Sequence, residues 1–299
     1  MSATHFTHTQ DQLRQLAGDV LAFAKAQGGS DCAVEISEGS GLSVSVRKGQ
    51  IETIEQNKDK GMGVTVFIGQ RRGNASTSDF SPAALKATVE AAYNIARFTA
   101  DDDCAGLADA DLLELAPRDL QLFYPWAIDT AGAVALAQRA EAAAFDVDPR
   151  VTNSEGAGVQ VQQSHFVAAN SRGFIGGYPY SRHTLSVAPI AGKGANMQRD
   201  SWYSSVRDAT KMAAPEAIGR YAAERALARL NARTIDTRTC PVLFEAPLAA
   251  GLLGAFVQAT SGGSLYRKSS FLIDTLGKQV FPAHVQIHED PHVVGGVGS

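Results

Sequence analysis

The segment from residue 32 to residue 68 constrains the fold most, because four strand-like runs follow one another with almost no chain between them. Each run alternates apolar and polar residues or is rich in β-branched residues. The runs are Cys32–Glu38, Gly41–Lys48, Ile51–Gln56 and Gly61–Ile68. Glycine-containing turns are predicted between them at residues 39–41, 48–50 and 59–61. Connections this short join antiparallel strands, because a parallel pair needs a crossover of a dozen or more residues.

Helices are predicted on both sides of these strands. Apolar residues at steps of three and four predict an amphipathic helix that ends near Gly28; they are Leu13, Leu16, Val20 and Phe23. Ser81 and Pro82 are the residues expected at the N-cap and first position of a second helix. Residues 1–105 are therefore predicted to form an N-terminal α+β domain.

A second unit is predicted over residues 120–232. Asp129 is expected to cap an alanine-rich helix, Thr130–Asp146. Two strands, Val151–Ala169 and His183–Pro189, follow, and a further helix, Pro215–Leu230, closes the unit. Strand blocks bounded by single helices are typical of α+β architecture. The prediction is two α+β units of antiparallel sheets with flanking helices, followed by the start of a β-rich third domain.

The third unit is predicted over residues 239–299. It opens with a short strand, Pro241–Glu245, and continues with Ala246–Ala259, which reads as one buried helix of small and apolar residues. About 60 residues make a thin domain, so we expect this unit to be truncated. The helix contains no His, Glu, Asp or Cys, and on its own it therefore offers no ligand for zinc.

Charge and cysteine content exclude several function classes. The 27 basic and 31 acidic residues give a net charge of -4, and the basic residues form no stripe, which argues against nucleic-acid binding. The longest apolar run is too short to span a bilayer. Three widely spaced cysteines are typical of a protein in a reducing compartment, so a cytoplasmic location without membrane contact is expected.

The stretch His288–His292 matches the zinc-protease pattern H-E-x-x-H. That pattern works only on a helix, which places both histidines on one face. Here Pro291 lies inside the pattern and disfavours helical backbone at Asp290, so a turn is the favoured interpretation. His284 and His288 are also four residues apart, and the same objection applies to them.

Two other stretches are candidates for contact with a ligand or a partner. Aromatic surface near a loop is supplied by Trp202-Tyr203 and by Phe174–Tyr180, which includes Tyr178-Pro179-Tyr180. Packing is the simpler interpretation of these residues, and contact with a peptide or partner is the alternative. Arg267 and Lys268 follow the predicted helix and could bind a carboxylate, although solvated charges at a helix end are more common.

The chain resembles the TldD/PmbA family, and within it the PmbA (TldE) branch. The resemblance is carried by SVRKGQIE at residues 45–52 with GMGV at 61–64, NSRGF at 170–174, GGSLYRKSSFL at 262–272 and EDPH at 289–292. It implies a subunit of a heterodimeric cytoplasmic metallopeptidase that admits unfolded or short peptides to an enclosed chamber. The implied roles are maturation of peptide antibiotics such as microcins and turnover of small antitoxins. An older label for such proteins is modulator of DNA gyrase.

The resemblance also implies where a zinc site would lie. The TldD branch holds zinc with an H-E-x-x-x-H helix, whose first His, Glu and second His fall here on Gly254, Ala255 and Ala259. None of them matches, and the cysteine that completes the site would lie beyond residue 299. The resemblance therefore implies that this chain has no catalytic or metal-binding residue. The zinc ion is expected in a TldD-like partner subunit. Contact with that partner or with peptide is expected at Ser261, Gly262, Gly263, Tyr266, Arg267 and Lys268.

Three functions remain open from the sequence. The first is a non-catalytic subunit that binds a zinc-bearing homologue and holds peptides by strand addition at a sheet edge. The second is a peptidase in its own right, with a metal bound by residues such as His284, His288 or Glu289. The third is an interaction protein that acts on DNA gyrase or another large enzyme.

Overall fold

The structure is a computed structural model that describes residues 5–298. Residues 1–4 and 299 of the predicted domains lie outside this range. The chain divides into two compact units. The first runs to Ala232 and includes the segment from Pro291 onward, and the second is Arg233–Asp290. Within residues 5–298, no helix combines the length and the apolar character needed to cross a membrane.

The first unit is built on one antiparallel sheet of eight strands. The order is β3-β2-β1-β4-β6-β7, with β5 paired to β4 and β8 paired to β6. The strands are β1 Asp31–Arg47, β2 Gln50–Ile68, β3 Arg71–Thr77, β4 Val151–Asn170, β5 Ile175–Gly176, β6 Pro179–Ala191, β7 Gln198–Arg199 and β8 Trp202–Val206. The predicted α+β class is confirmed. The strands of the two predicted units lie in one continuous sheet, because β1 pairs with β4 from Ala33 to Val46. The boundaries predicted at residues 105 and 120 stay a prediction.

Two of the three predicted turns are wrong, since β1 and β2 run through residues 39–41 and 59–61 as continuous strands. Both glycines instead lie inside β1, beside the ends of side chains from the neighbouring strands. A Cβ on Gly39 would lie 2.6 Å from Ser164 Oγ, and one on Gly41 would lie 2.4 Å from Asn57 Oδ1. The turn at residues 48–50 is confirmed, because Lys48 and Gly49 have φ values of 52° and 73°, the left-handed region that a tight hairpin requires.

Four helices cover one face of this sheet in two pairs. They are α1 Gln10–Ala26, α2 Pro82–Phe98, α3 Thr130–Phe145 and α4 Pro215–Ala228. The first pair packs at one end of the long strands, on side chains such as Ile36 and Val64. The second pair packs at the other end, on side chains such as Val44 and Leu185. Ile36 and Val44 lie on the same face of β1 because they are an even number of residues apart.

The helix starts follow the capping residues that the sequence predicts. Ser81 Oγ accepts a hydrogen bond from the amide of Ala84, and Asp129 Oδ1 accepts one from the amide of Gly132 at 2.8 Å. Both caps are therefore confirmed. Thr9 forms a full capping box with Gln12 at the start of α1. Strand β3 and the short strands β5, β7 and β8 were not predicted, because runs of two to seven residues carry little periodicity.

The second unit contains two helices, α5 Ala246–Thr260 and α6 Gly262–Tyr266. The predicted helix is confirmed, but its predicted burial is wrong, since none of the α5 residues is buried. The predicted strand Pro241–Glu245 is also wrong, because this stretch is irregular. The composition of Ala246–Thr260 favours a helix. Burial of that helix needs a second layer of helices or strands packed against it, and residues 233–290 do not supply one. The β-rich character expected of the remainder of this domain stays a prediction.

Candidate functional site

The sheet face opposite the four helices of the first unit is polar. Along β1 this face carries Glu35, Ser37, Gly39, Gly41 and Ser43, which alternate with the core residues of the same strand. The paired positions on neighbouring strands are also mostly polar or small; they are Asn57 and Asp59 on β2, Gln160, Gln162 and Ser164 on β4, and Tyr180, Arg182 and Thr184 on β6. We call this surface the open face.

A cleft of about 440 Å³ lies on the open face where β1, β4 and β6 meet. Its wall is an aromatic group in which Tyr178 packs edge-to-face on Phe166 with ring centroids 4.8 Å apart, and Tyr180 does so at 6.5 Å. Gly177 allows this approach, because a Cβ there would lie 2.0 Å from the carbonyl oxygen of Phe166. The residues lining the cleft are Glu35, Ser37, Phe166, Tyr178, Tyr180, Arg182, Arg207, Val297 and Gly298.

Two arginines line the same cleft. Arg182 donates from Nε to Ser205 Oγ at 2.8 Å. Arg207 is only 9% exposed and donates to the carbonyl oxygens of Gly296 at 2.8 Å and Val297 at 3.3 Å. Burial lowers the pKa of the Arg207 guanidinium, and the positive charge of Arg182 lowers that pKa further. Among the described residues that line the cleft, two carry a guanidinium group and one, Glu35, carries a carboxylate.

A second cavity of about 420 Å³ adjoins the cleft and shares Ser37 and Tyr180 with it. Small and amide-bearing side chains line it, including Gly39, Gly41, Asn57, Asp59, Gln162 and Ser164. The two cavities together form a trough that crosses β2, β1, β4 and β6. Its aromatic rings, amides and hydroxyls offer packing surface and hydrogen bonds, as an extended polypeptide requires.

A buried ionisable group lies on the helix side of the same strands. Glu38 accepts hydrogen bonds from the backbone amide of His8 at 3.0 Å, from His8 Nδ1 at 2.5 Å and from His165 Nε2 at 3.3 Å. Burial acts to raise the pKa of Glu38, but these hydrogen bonds outweigh it and hold that pKa below its ordinary value. Burial lowers the pKa of His165. Phe6 stacks on the His165 ring with centroids 4.0 Å apart, so this group attaches the start of α1 to the sheet.

The residues predicted to contact partner or peptide lie together in the second unit, around α6. Ser261 is the N-cap of α6, and its Oγ accepts from the amide of Ser264. The guanidinium of Arg267 lies beside Gly263, where a Cβ would be 3.3 Å from Arg267 Nη1. Tyr266 is 86% exposed, and Lys268 has a left-handed φ of 55°. Gly262 lies in the first turn of α6. A contact of these residues with peptide or partner stays a prediction.

The three positions onto which the resemblance places the His, Glu and His of the zinc motif lie on α5. Gly254 and Ala255 are exposed and Ala259 is half-buried, and none has a side-chain atom able to coordinate a metal. The residues present here therefore do not fit a zinc ion. Within residues 5–298, no three His, Cys, Asp or Glu side chains are grouped closely enough to hold a metal ion. The stretch His288–His292 is not helical, which confirms the turn interpretation.

Only some of the residues that line the open-face cleft could be identified from the sequence. Tyr178 and Tyr180 were singled out as aromatic surface, and the structure places both in the cleft wall. Trp202 instead packs edge-to-face on Tyr221 at 4.6 Å, as the packing interpretation expected. Arg182 was missed, although the alternation of polar and core residues along β6 could have assigned it to the open face.

Three family models match the chain in order. PmbA/TldA metallopeptidase domain 1 matches residues 32–96, the central domain matches residues 123–230, and the C-terminal domain matches residues 237–299. The chain belongs to the PmbA/TldD metallopeptidase family. Its assignment to the family confirms the resemblance carried by the sequence motifs.

Curated relatives agree with this assignment. The chain is 43% identical over 279 residues to metalloprotease PmbA of Escherichia coli O157:H7. The aligned region covers 93% of this chain and 62% of that protein. It is 41% identical over 290 residues to the metalloprotease PmbA homologue of Haemophilus influenzae, covering 97% of this chain and 64% of that protein. The chain thus spans less than two thirds of the length of these relatives.

Solved structures share the fold. A Bacteroides thetaiotaomicron protein, solved as a candidate modulator of DNA gyrase, superposes with a TM-score of 0.88 at 21% identity, over 96% of this chain and 65% of that one. TldE from Thermococcus kodakarensis superposes with a TM-score of 0.67 at 14% identity, over 87% of this chain and 58% of that one. At these identities the likeness concerns the fold alone.

Proposed function

We propose that this chain is the PmbA/TldE-type subunit of a two-subunit cytoplasmic metallopeptidase, and that it binds unfolded peptides without cleaving them. The zinc ion and the hydrolytic step belong to a TldD-like partner subunit. The observation that supports the proposal is the sequence of α5, where the resemblance places the zinc motif on Gly254, Ala255 and Ala259. Hydrolysis by a metal-bound water needs ligands that these side chains cannot supply.

The open face supports the peptide-binding part of the proposal. The trough on this face is lined by aromatic rings, amides and hydroxyls from four strands, and these groups can accompany an extended chain without demanding one sequence. Strand β2 also offers an exposed edge to which a peptide strand could be added. The part of β2 from Gln50 to Lys60 is exposed, and β3 pairs with β2 only from Met62 to Ile68.

The substrates proposed are short unfolded peptides, such as precursors of peptide antibiotics and small antitoxins. The partner is a homologue that carries H-E-x-x-x-H on the helix that matches α5. An acidic chain with scattered basic residues is a poor binder of nucleic acid, so any effect on DNA gyrase would act through protein contact.

The test compares the full chain alone with the full chain mixed with its zinc-bearing homologue. We expect the chain alone to hold no stoichiometric zinc by metal analysis and to leave an unfolded peptide intact, while the mixture cleaves it. Zinc near one ion per chain in the isolated protein, together with peptide cleavage, would contradict the proposal. It would favour the alternative in which His284, His288 or Glu289 binds a metal, and replacing His288 by Ala should then abolish cleavage.

A pull-down separates the interaction-protein alternative. We expect the tagged chain to capture the zinc-bearing homologue from an extract of cells that contain both. Capture of DNA gyrase without that homologue would refute the subunit role and favour the interaction protein.

A further inference from the structure

The Arg182 guanidinium has N–H groups that no residue within 5–298 accepts a hydrogen bond from. Its Nε donates to Ser205 Oγ, and no other hydrogen bond or ion pair joins its guanidinium to any residue within 5–298. Other arginines of the first unit are paired: Arg150 with Asp148, Arg172 with Asp31. The Arg182 side chain is half-buried, and no carboxylate within residues 5–298 pairs with it.

The position of Arg182 is set by the sheet. Its strand lies between two others, with Arg182 opposite Gln162 on β4 and the next residue opposite Val206 on β8. Ser205 Oγ also lies 2.9 Å from Thr184 Oγ1, so the hydroxyl that receives Nε is itself held in place. Anchoring one nitrogen reduces the rotamer freedom that the side chain would lose on binding a ligand.

A second guanidinium lines the cleft beside that of Arg182. Arg207 donates hydrogen bonds to the carbonyl oxygens of Ser181, Gly296 and Val297. Among the lining residues within 5–298, Glu35 carries the one carboxylate, and no ion pair joins it to Arg182. The planar guanidinium presents two parallel N–H groups to a carboxylate, a geometry that a lysine lacks.

We propose that Arg182 binds a carboxylate of the peptide held on the open face. The inference rests on the proposed peptide-binding function and names the chemical feature that this site selects. The carboxylate has two possible sources, an Asp or Glu side chain within the peptide or the carboxyl group at its C-terminus. Both present the same planar pair of oxygens to the guanidinium.

Four versions of one short unstructured fluorescent peptide separate these sources. One has a C-terminal amide and a Gln at its centre, the second replaces that Gln by Glu, and the third restores the free C-terminal carboxyl to the Gln peptide. The fourth carries both carboxylates. Fluorescence anisotropy with the full chain measures each Kd. We expect at least one carboxylate to tighten binding by about tenfold at low salt, since a charge-assisted hydrogen bond in a partly buried site has this size.

Variants of the chain test whether Arg182 causes the preference for a carboxylate. In Arg182→Gln the preference for the carboxylate should disappear while binding of the neutral peptide is retained, and in Arg182→Lys part of the preference should remain. Arg72→Gln is the matched control, because it removes an exposed arginine from β3 at the other end of the sheet, and it should keep the full preference. Circular dichroism spectra of all three variants check that each one is folded.

The outcomes distinguish this inference from the proposed function. Equal binding of all four peptides by the unmodified chain would overturn the role of Arg182 and leave peptide binding standing. A preference that survives in Arg182→Gln would overturn the inference in the same way. Failure of every peptide to bind would overturn both proposals.

Discussion

Gly219 allows a sharp test of how α4 packs on α3. A Cβ at this position would lie 2.0 Å from the backbone carbonyl oxygen of Ala140 and 3.1 Å from Ala143 Cβ. A backbone atom cannot move aside as a side chain can, so Gly219→Ala must separate the two helices. Alanine would gain about 1 kcal/mol in helix propensity. Overpacking of this severity costs about 3 kcal/mol, so we expect the free energy of unfolding to fall by about 2 kcal/mol.

Gly18→Ala is the matched control, because Gly18 lies inside α1 and a Cβ there would meet no atom within 4 Å. This variant should be stabilised by about 1 kcal/mol. Urea unfolding, followed by circular dichroism and by the fluorescence of Trp126 and Trp202, measures both variants. A decrease of about 2 kcal/mol corresponds to a fall of roughly 4–8 °C in Tm for a unit of this size. The reasoning is refuted if Gly219→Ala is as stable as the unmodified chain or more stable.

Three further changes test the ionisable groups and the cleft. Because the folded-state pKa of Glu38 is depressed, its contribution to stability is present above the unfolded pKa and is lost as pH falls through the folded value. Glu38→Gln should therefore flatten the acid limb of the plot of unfolding free energy against pH, and an unchanged limb would contradict the network. Glu141 accepts hydrogen bonds from the amides of Lys48 at 3.0 Å and Gly49 at 2.8 Å, and it is 1% exposed. Glu141→Ala should cost about 3 kcal/mol in urea unfolding, since it removes two hydrogen bonds to a carboxylate; a loss below about 1 kcal/mol would show that water replaces the carboxylate. Tyr180→Ala should weaken binding of the neutral peptide by about threefold to tenfold in the anisotropy assay, and equal affinity would remove Tyr180 from the binding surface.

The elements of the fold could be predicted more fully than their arrangement. Ser81 and Asp129 mark helix starts because a capping side chain acts on amides two or three residues away. The long strand Val151–Asn170 was found because its side chains alternate over many residues. The turn predicted from the glycines at 39 and 41 is wrong because glycine also occurs in the interior of a strand, as it does in β1.

The candidate site was predicted only in part, because it depends on which strands pair with each other. Tyr178 and Tyr180 are conspicuous in the sequence, whereas Arg182 and Arg207 resemble other scattered arginines until β6 and β8 are paired. Glu38 and His165 are 127 residues apart, and no local pattern links them. Their contact follows from the pairing of β1 with β4, which places the two residues directly opposite each other.

The sequence by itself determined which segments become helices and strands, which face of each strand enters the core, and the absence of metal ligands from α5. These properties depend on side-chain chemistry and on periodicities of a few residues. Only the tertiary structure decided that the strands form a single sheet, that α5 is exposed, and that Arg182 shares a cleft with Arg207. A two-residue period fixes the face on which a side chain lies but not the neighbouring strand, because strand partners are selected by packing between distant parts of the chain.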